Sequence, residues 1–374
     1  MKVLLIGNYA PDRQESMLRY GEMLRAGLAE AGHQVTLALP RPVLNPRSRP
    51  GSGVWKWIGH LDKMLLGAAE LARAGQQADV VHVCDHGNAF YVPGKPRKPY
   101  VVTCHDLLAV RGALGENTDV TPSLSGHYLQ RLILDGLKRA TAIACVSGAT
   151  LRDARRLLGD YRGKLIVAPN SLNYPYRRLS AGETRKRLAS MGALASESAY
   201  VLMVGGNHRR KNRETALRAL AHVAGSWSGR LIIAGEPLSA EQRDVARELG
   251  LLDRVVELGS TSNELLEALY NGALALLFPS RFEGFGWPVV EAQACGCPVI
   301  CSNAEPLPEV AGAGAILCDP NQPAAFGRAI LELAGDPARR DALIETGIAN
   351  AGGYDRPRLI GQLVSLYEQV RSAA

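Results

Sequence analysis

Short apolar runs alternate along the chain with longer segments whose apolar positions recur at helical spacing. In the first half the runs fall at residues 2–7, 34–39, 80–84, 100–104, 142–146 and 165–168. In the second half they fall at 200–204, 230–234, 255–258, 274–278, 298–301 and 315–317. Runs such as Val3-Leu4-Leu5-Ile6 are continuously apolar, as expected of parallel strands covered by helices on both faces. The pattern predicts an α/β protein with two doubly wound, Rossmann-like domains. The turn-rich stretch 170–178 is the best linker, so the boundaries are expected at 1–175 and 176–355. Ligands of such sheets lie beyond the carboxyl ends of the strands, where the connections change direction.

A length of 374 residues suits two domains better than one core. With 47% apolar residues and no long uncharged run, the chain reads as globular. Val3 to Ile6 follow Met1-Lys2 directly, without a signal-peptide layout, which points to the cytoplasm. Of the seven cysteines, Cys84, Cys104, Cys145 and Cys318 lie in or at the end of strand-like runs and read as small core residues. Cys295, Cys297 and Cys301 lack the second pair and the histidine that a zinc site needs, so no metal is expected. The net charge of +7 is modest, but cations cluster at Arg41, Arg47 and Arg49, at Lys95, Arg97 and Lys98, and around Arg152, Arg155, Arg156, Arg162 and Lys164. Such a face suits an anionic lipid or a phosphate-bearing acceptor, or is simply solvated surface. The aromatic interleaving of a nucleic-acid platform is missing.

The densest chemistry lies in Arg281-Phe282-Glu283-Gly284-Phe285-Gly286-Trp287-Pro288-Val289-Val290-Glu291. It follows the strand-like run 274–278, and its glycines allow backbone to approach a ligand. Pro288 suits the first position of a helix, whose amide groups and partial positive charge would favour a diphosphate. Glu291, in the first turn of that helix, would accept bonds from ribose hydroxyls, and Glu283 would hold the sugar at the other end. The turn after the run 200–204 reads Gly205-Gly206-Asn207-His208-Arg209-Arg210-Lys211-Asn212, where cations can neutralise a diphosphate leaving group. The first turn, Gly7-Asn8-Tyr9-Ala10-Pro11-Asp12, lacks the Gly-x-Gly-x-x-Gly of a dinucleotide-binding fold, which weakens a dehydrogenase reading.

The segment 281–291, continued through Ala292-Gln293-Ala294-Cys295-Gly296-Cys297-Pro298-Val299-Ile300, Leu307-Pro308-Glu309-Val310 and Cys318-Asp319-Pro320, resembles the signature of family-four retaining glycosyltransferases with GT-B architecture. The resemblance implies two facing domains: an N-terminal acceptor-binding domain and a C-terminal donor-binding domain. It also implies a terminal helix, within 356–374, that returns to the first domain. It assigns the diphosphate of a GDP- or UDP-linked sugar to Arg209, Arg210, Lys211, Gly286 and Trp287. Sugar and ribose go to Gly206, Glu283, Gly284, Phe285 and Glu291, with the loop 259–262 near the base. His105, after the run 100–104, is placed beside the transferred sugar, so that His105, Glu283 and Lys211 carry catalysis. Asn8, Tyr9, Asp85, His86 and Asp106 fall on the acceptor side. The sequence departs from the family where Gly206 replaces a further arginine, where the first turn lacks paired glycines, and where Asn170-Ser171 replaces Asn-Gly.

The activity implied is hexosyl transfer, of mannose or glucose type, from a nucleotide diphosphate sugar to an acceptor hydroxyl with retention, in polysaccharide or glycolipid synthesis. Such chemistry requires no cofactor besides the donor. A sugar-nucleotide epimerase of the same fold, or a non-catalytic glycan- or lipid-binding subunit, are the rival readings. Residues 54–66, with Trp55, Trp57, Lys56 and Lys63, suit either a helix lying on the inner membrane face or an apolar stripe packed on the first sheet.

Overall fold

The computed structural model describes residues 1–45, 58, 59, 61–189 and 199–373. The chain divides into two compact units, Met1–Asn173 with Arg356–Ala374, and Tyr174–Asp355.

The first unit is built on a parallel sheet of β1 (Lys2–Ile6), β2 (Gln34–Ala38), β3 (Val80–Val83), β4 (Tyr100–Cys104), β5 (Ala142–Cys145) and β6 (Lys164–Val167), in the order β2-β1-β3-β4-β5-β6. The second is built on β7 (Tyr200–Gly205), β8 (Arg230–Gly235), β9 (Val255–Gly259), β10 (Ala275–Phe278), β11 (Val299–Ser302) and β12 (Ala315–Cys318), in the order β12-β11-β10-β7-β8-β9. All neighbouring strands within each sheet run parallel. The continuous apolar runs are therefore the central strands: β3, β4, β5, β10 and β11 are buried at every position. Helices on both faces supply that cover.

Each sheet reverses its winding once. In the first unit the reversal falls between β1 and β3, and in the second between β7 and β10. At such a point two neighbouring loops diverge to opposite faces and leave a crevice beyond the strand ends. The loops concerned are those that begin at Asn8 and Asp85 in the first unit, and at Gly206 and Pro279 in the second.

The terminal helix Arg356–Ser372 belongs to the first unit and packs on the helix Glu15–Glu30. Arg356 donates to Glu30 at 2.6 Å, and Ile360 lies where a Cβ on Gly27 would stand. Every cysteine is buried and free. Burial pushes the thiol of Cys297 up to about 12, so Cys297 packs as an apolar residue. Among the described residues no three His, Cys, Asp or Glu side chains are placed to hold a metal ion. No described helix is long and apolar enough to cross a membrane. Of the tryptophan-bearing segment, residues 54–57 and His60 lie outside the described residues, as do Arg47 and Arg49. The segment that follows runs as a wide helical turn, Asp62–Gly67, into the helix Ala68–Gly75.

Candidate functional site

In the second unit the loop after β7 closes as a single tight turn, Arg209–Lys211. Asn212 ends it in the left-handed region at φ 56°, where a short polar side chain is tolerated. Its amide donates to the carbonyls of Pro279, at 3.0 Å, and Pro320, at 2.8 Å, which ties the β7 loop to the β10 loop. Arg281 N donates to Arg210 O at 2.8 Å and adds a backbone link. The two loops expected to bind one ligand are thus joined at the switch point.

These links bring Arg210, Lys211 and Glu283 together. Lys211 Nζ donates to one carboxylate oxygen of Glu283 at 2.7 Å, and Arg210 reaches the other at 2.8 Å. The side chains of Glu283 and Lys211 are only 7% and 10% exposed, and Arg210 is 23% exposed. Burial alone would raise the Glu283 pKa, but the two cations outweigh it and hold the carboxyl down to about 2. Burial lowers the Lys211 pKa against the pull of Glu283, and its ammonium lies 4.7 Å from the centre of the Phe278 ring. The group holds two cations against one carboxylate.

Gly286 precedes the helix Trp287–Ala294 with φ 101°. A Cβ there would stand 2.7 Å from Leu307, so backbone conformation and packing both require glycine. The helix begins at Trp287 with Pro288 second, one residue earlier than the proline suggests. Glu291 accordingly lies in the second turn rather than the first. Its carboxylate, 6% exposed as a residue, accepts from Tyr270 Oη at 2.9 Å, and its charge reaches Lys211. Phe285 is buried and stacks edge-on between Trp287 and Tyr354.

The β7 side is braced by residues that sequence reasoning passed over. Arg213 donates to the carbonyls of Gly205, at 2.8 Å, and Pro237, at 3.0 Å, and Glu236 accepts from Asn207 N at 2.6 Å. Gly206 lies against His208 and Glu236, each 3.3–3.4 Å from where its Cβ would be. Arg209 is exposed on the same turn. The arginine directly after a helix start gave a signal for Arg213, since a cation there opposes the helix dipole unless it has another purpose.

In the first unit the crevice between β1 and β3 gathers Asn8, Asp85 and His86. Asn8 donates to Asp85 at 2.6 Å, Gly87 N donates to it at 2.9 Å, and His86 Nδ1 lies 3.2 Å away. Burial opposes charge on both partners, yet their mutual attraction holds the Asp85 pKa low and the His86 pKa high. His105 follows β4 and is 7% exposed, with Nε2 3.0 Å from Cys84 O. Burial lowers its pKa, so its ring favours the neutral form. Asp106 accepts from Leu108 N at 3.1 Å and shapes the turn into the next helix. Tyr9 is engaged elsewhere: its hydroxyl donates to the buried Asp62 at 2.7 Å.

Two family models match the chain. Residues 185–349 match "Glycosyl transferases group 1" and residues 19–174 match "Glycosyltransferase Family 4". The O-antigen chain mannosyltransferase B of Escherichia coli is 28% identical over 76% of this chain and 73% of its own. A D-inositol 3-phosphate glycosyltransferase from Catenulispora acidiphila is 33% identical over 80% of this chain and 74% of its own. A protein of the latter name from Acidothermus cellulolyticus is matched over 61% of its length. Among solved structures, HepE from Anabaena, in complex with UDP and glucose, superposes with a TM-score of 0.76 at 17% identity, covering 99% of this chain and 100% of that one.

Proposed function

The chain belongs to glycosyltransferase family 4 and has the GT-B fold, and from that premise we propose that it transfers a mannose- or glucose-type hexosyl group from a UDP- or GDP-linked donor to an acceptor hydroxyl, with retention, in polysaccharide or glycolipid synthesis. The observation that carries this reading is the buried Arg210–Glu283–Lys211 group at the β7/β10 switch point, beside the N-terminus of the helix Trp287–Ala294. Arg209, Arg210 and Lys211 on the β7 turn outnumber Glu283 and Glu291, which leaves a net positive charge. The helix terminus adds partial positive charge, so a diphosphate is the ligand chemistry that fits. Names of relatives point the same way, to mannosyl transfer and to inositol phosphate as acceptor, and HepE binds UDP and glucose.

In this reading the bond between the sugar C1 and the diphosphate oxygen breaks, and a bond from the acceptor oxygen forms on the same face. The acceptor proton passes to the departing diphosphate. Negative charge gathers on that diphosphate in the transition state, where Lys211, Arg210 and the helix amides stabilise it more than in the ground state. Glu283 shares the cations and meets sugar hydroxyls, Glu291 serves the ribose, and His105 positions the sugar. Gly206, Gly284, Phe285 and Trp287 shape the donor side, with Arg209 as a further cation. Asn8, Asp85, His86 and Asp106 serve the acceptor. Tyr9, next to Asn8 in the same loop, also lies on that side, with its hydroxyl held by Asp62.

Thermal unfolding with UDP, GDP and ADP tests the donor assignment. A nucleotide that binds only the folded protein adds about 2.7 kcal/mol at a hundred times its Kd. Either UDP or GDP is expected to raise the melting temperature, with a smaller shift in Lys211→Ala, whose main loss falls on the chemical step. If none of the three nucleotides raises it, the donor reading fails.

The same reading places the protein on the inner face of a membrane when its acceptor is lipid-linked. Val43, Leu44 and Leu61 are 57%, 49% and 47% exposed, and Arg41 lies beside the first two in sequence. Flotation with anionic vesicles is expected to carry the wild type, and to carry less of a Trp55→Ala/Trp57→Ala variant. Absence of wild-type flotation would remove the membrane from the proposal.

A further inference from the structure

A line of polar groups crosses the core of the first unit. His82, in the middle of the apolar strand β3, is fully buried. Its Nδ1 lies 2.5 Å from Tyr367 Oη of the terminal helix, and its Nε2 lies 2.8 Å from Thr103 Oγ1. Thr103 Oγ1 in turn lies 3.1 Å from Tyr20 Oη, on the helix Glu15–Glu30. The Tyr20 ring stands at 86° to the His105 ring, with centres 4.8 Å apart. Strand register explains the middle of the line: His82 pairs with Val101, and Thr103 is two residues further along β4 on the same face.

The groups match in number as well as position. Burial first, and then His105, push the His82 pKa down to about 3, so its ring is neutral, with one donor and one acceptor. Each nitrogen has one hydroxyl partner. Loss of one hydroxyl leaves a buried neighbour short of a bond, and the remaining groups must reorient. A core that served only stability would be as well filled by apolar side chains. His105 itself is held on one side by Cys84 O and on another by the Tyr20 ring.

We propose that Tyr367, His82, Thr103 and Tyr20 are positioning residues that fix the plane of the His105 ring, and so make the terminal helix part of the site's support. The proposal rests on the reading of His105 as the group beside the transferred sugar. Tyr20 sets the ring contact, Thr103 anchors the Tyr20 hydroxyl, and His82 passes the constraint from Tyr367. The terminal helix follows directly on the second unit in the chain, so a displacement of that helix is felt at His105 through this line.

The test uses the full chain labelled with ¹⁵N-histidine, in which the ring nitrogens of His82 and His105 report their bonding separately. Tyr367→Phe removes one hydroxyl and no packing, and is expected to shift the signals of both rings. Tyr20→Phe keeps the ring contact and is expected to shift them as well. Donor turnover, read as UDP or GDP released from UDP-glucose or GDP-mannose, should fall by about tenfold in each, with donor KM within about twofold, because lost alignment acts on the chemical step. If Tyr367→Phe shifts His82 alone and leaves His105 signals and turnover at wild-type values, the proposal is overturned. Should Tyr367→Phe fail to fold, Tyr20→Phe decides by the same two readouts. His105→Ala separates the two claims: wild-type turnover there refutes the assignment of His105 to the sugar, while the ring signals still decide whether the line exists.

Discussion

Lys211→Ala is expected to lower turnover by about 30- to 1000-fold, equivalent to roughly 2 to 4 kcal/mol of transition-state stabilisation, the scale at which other preorganised charges act. Lys211 is the least exposed cation of the group, fixed by Glu283 at 2.7 Å and by the face of Phe278. A charge held in place inside low-dielectric surroundings acts on a departing diphosphate without reorganising. A lysine in solvent would have to be ordered first. The loss should appear mainly in kcat, with a smaller change in donor KM, since charge on the leaving group grows as the glycosidic bond breaks. Steady-state kinetics with the donor identified by thermal shift check this. Near-wild-type kcat would take Lys211 out of the catalytic role. Arg210→Ala should lose less, because Arg210 is more exposed and also donates to Phe282 O.

Much of this site was legible in the sequence because its parts are local. Strands β7 and β10 are unbroken apolar runs, and the residues after them are glycines, cations and a carboxylate at the point where a strand must turn. The reversal of winding between β7 and β10 then brings two loops 72 residues apart to one place. That step was not legible. Nothing in either loop alone says that Arg210 and Lys211 share one carboxylate, since the pairing depends on strand order. The same limit hides Tyr270, which bonds Glu291 from the helix that precedes β10, and Tyr367, which bonds His82 across 285 residues. Helix starts were misplaced for a different reason. Proline is tolerated at the first and second helical positions alike, so Pro288 marks the start only to within a residue, and that residue makes Glu291 the fifth helical position instead of the fourth, just past the first turn. Tyr9 shows a third cause: a tyrosine beside a ligand loop and a tyrosine capping a buried aspartate look the same until Asp62 is found beneath it.

Glu283→Gln is expected to destabilise the second unit by about 3 kcal/mol at neutral pH, the lower end for breaking a buried ion pair, because Arg210 keeps some access to water. Glutamine keeps the shape and removes the charge, so Lys211 is left buried beside Arg210 with no carboxylate between them. The sign of the pH dependence follows from the depressed carboxyl. Glu283 falls from an ordinary 4.5 to about 2 in the folded chain, so between those values the unfolded chain binds the extra proton. Its contribution is fully present above about pH 4.5 and is lost as pH falls towards 2. The variant has no such group to titrate. The difference in melting temperature between wild type and Glu283→Gln should therefore be largest near neutrality and shrink through the acid range. At neutral pH it should reach about 6 to 12 °C for a unit of this size. Melting curves at several values between pH 7 and 3 measure it directly. A difference that stays constant into acid would show that Glu283 is not held ionised by Lys211 and Arg210, and the charge balance that favours a diphosphate at this switch point would have to be drawn from other groups.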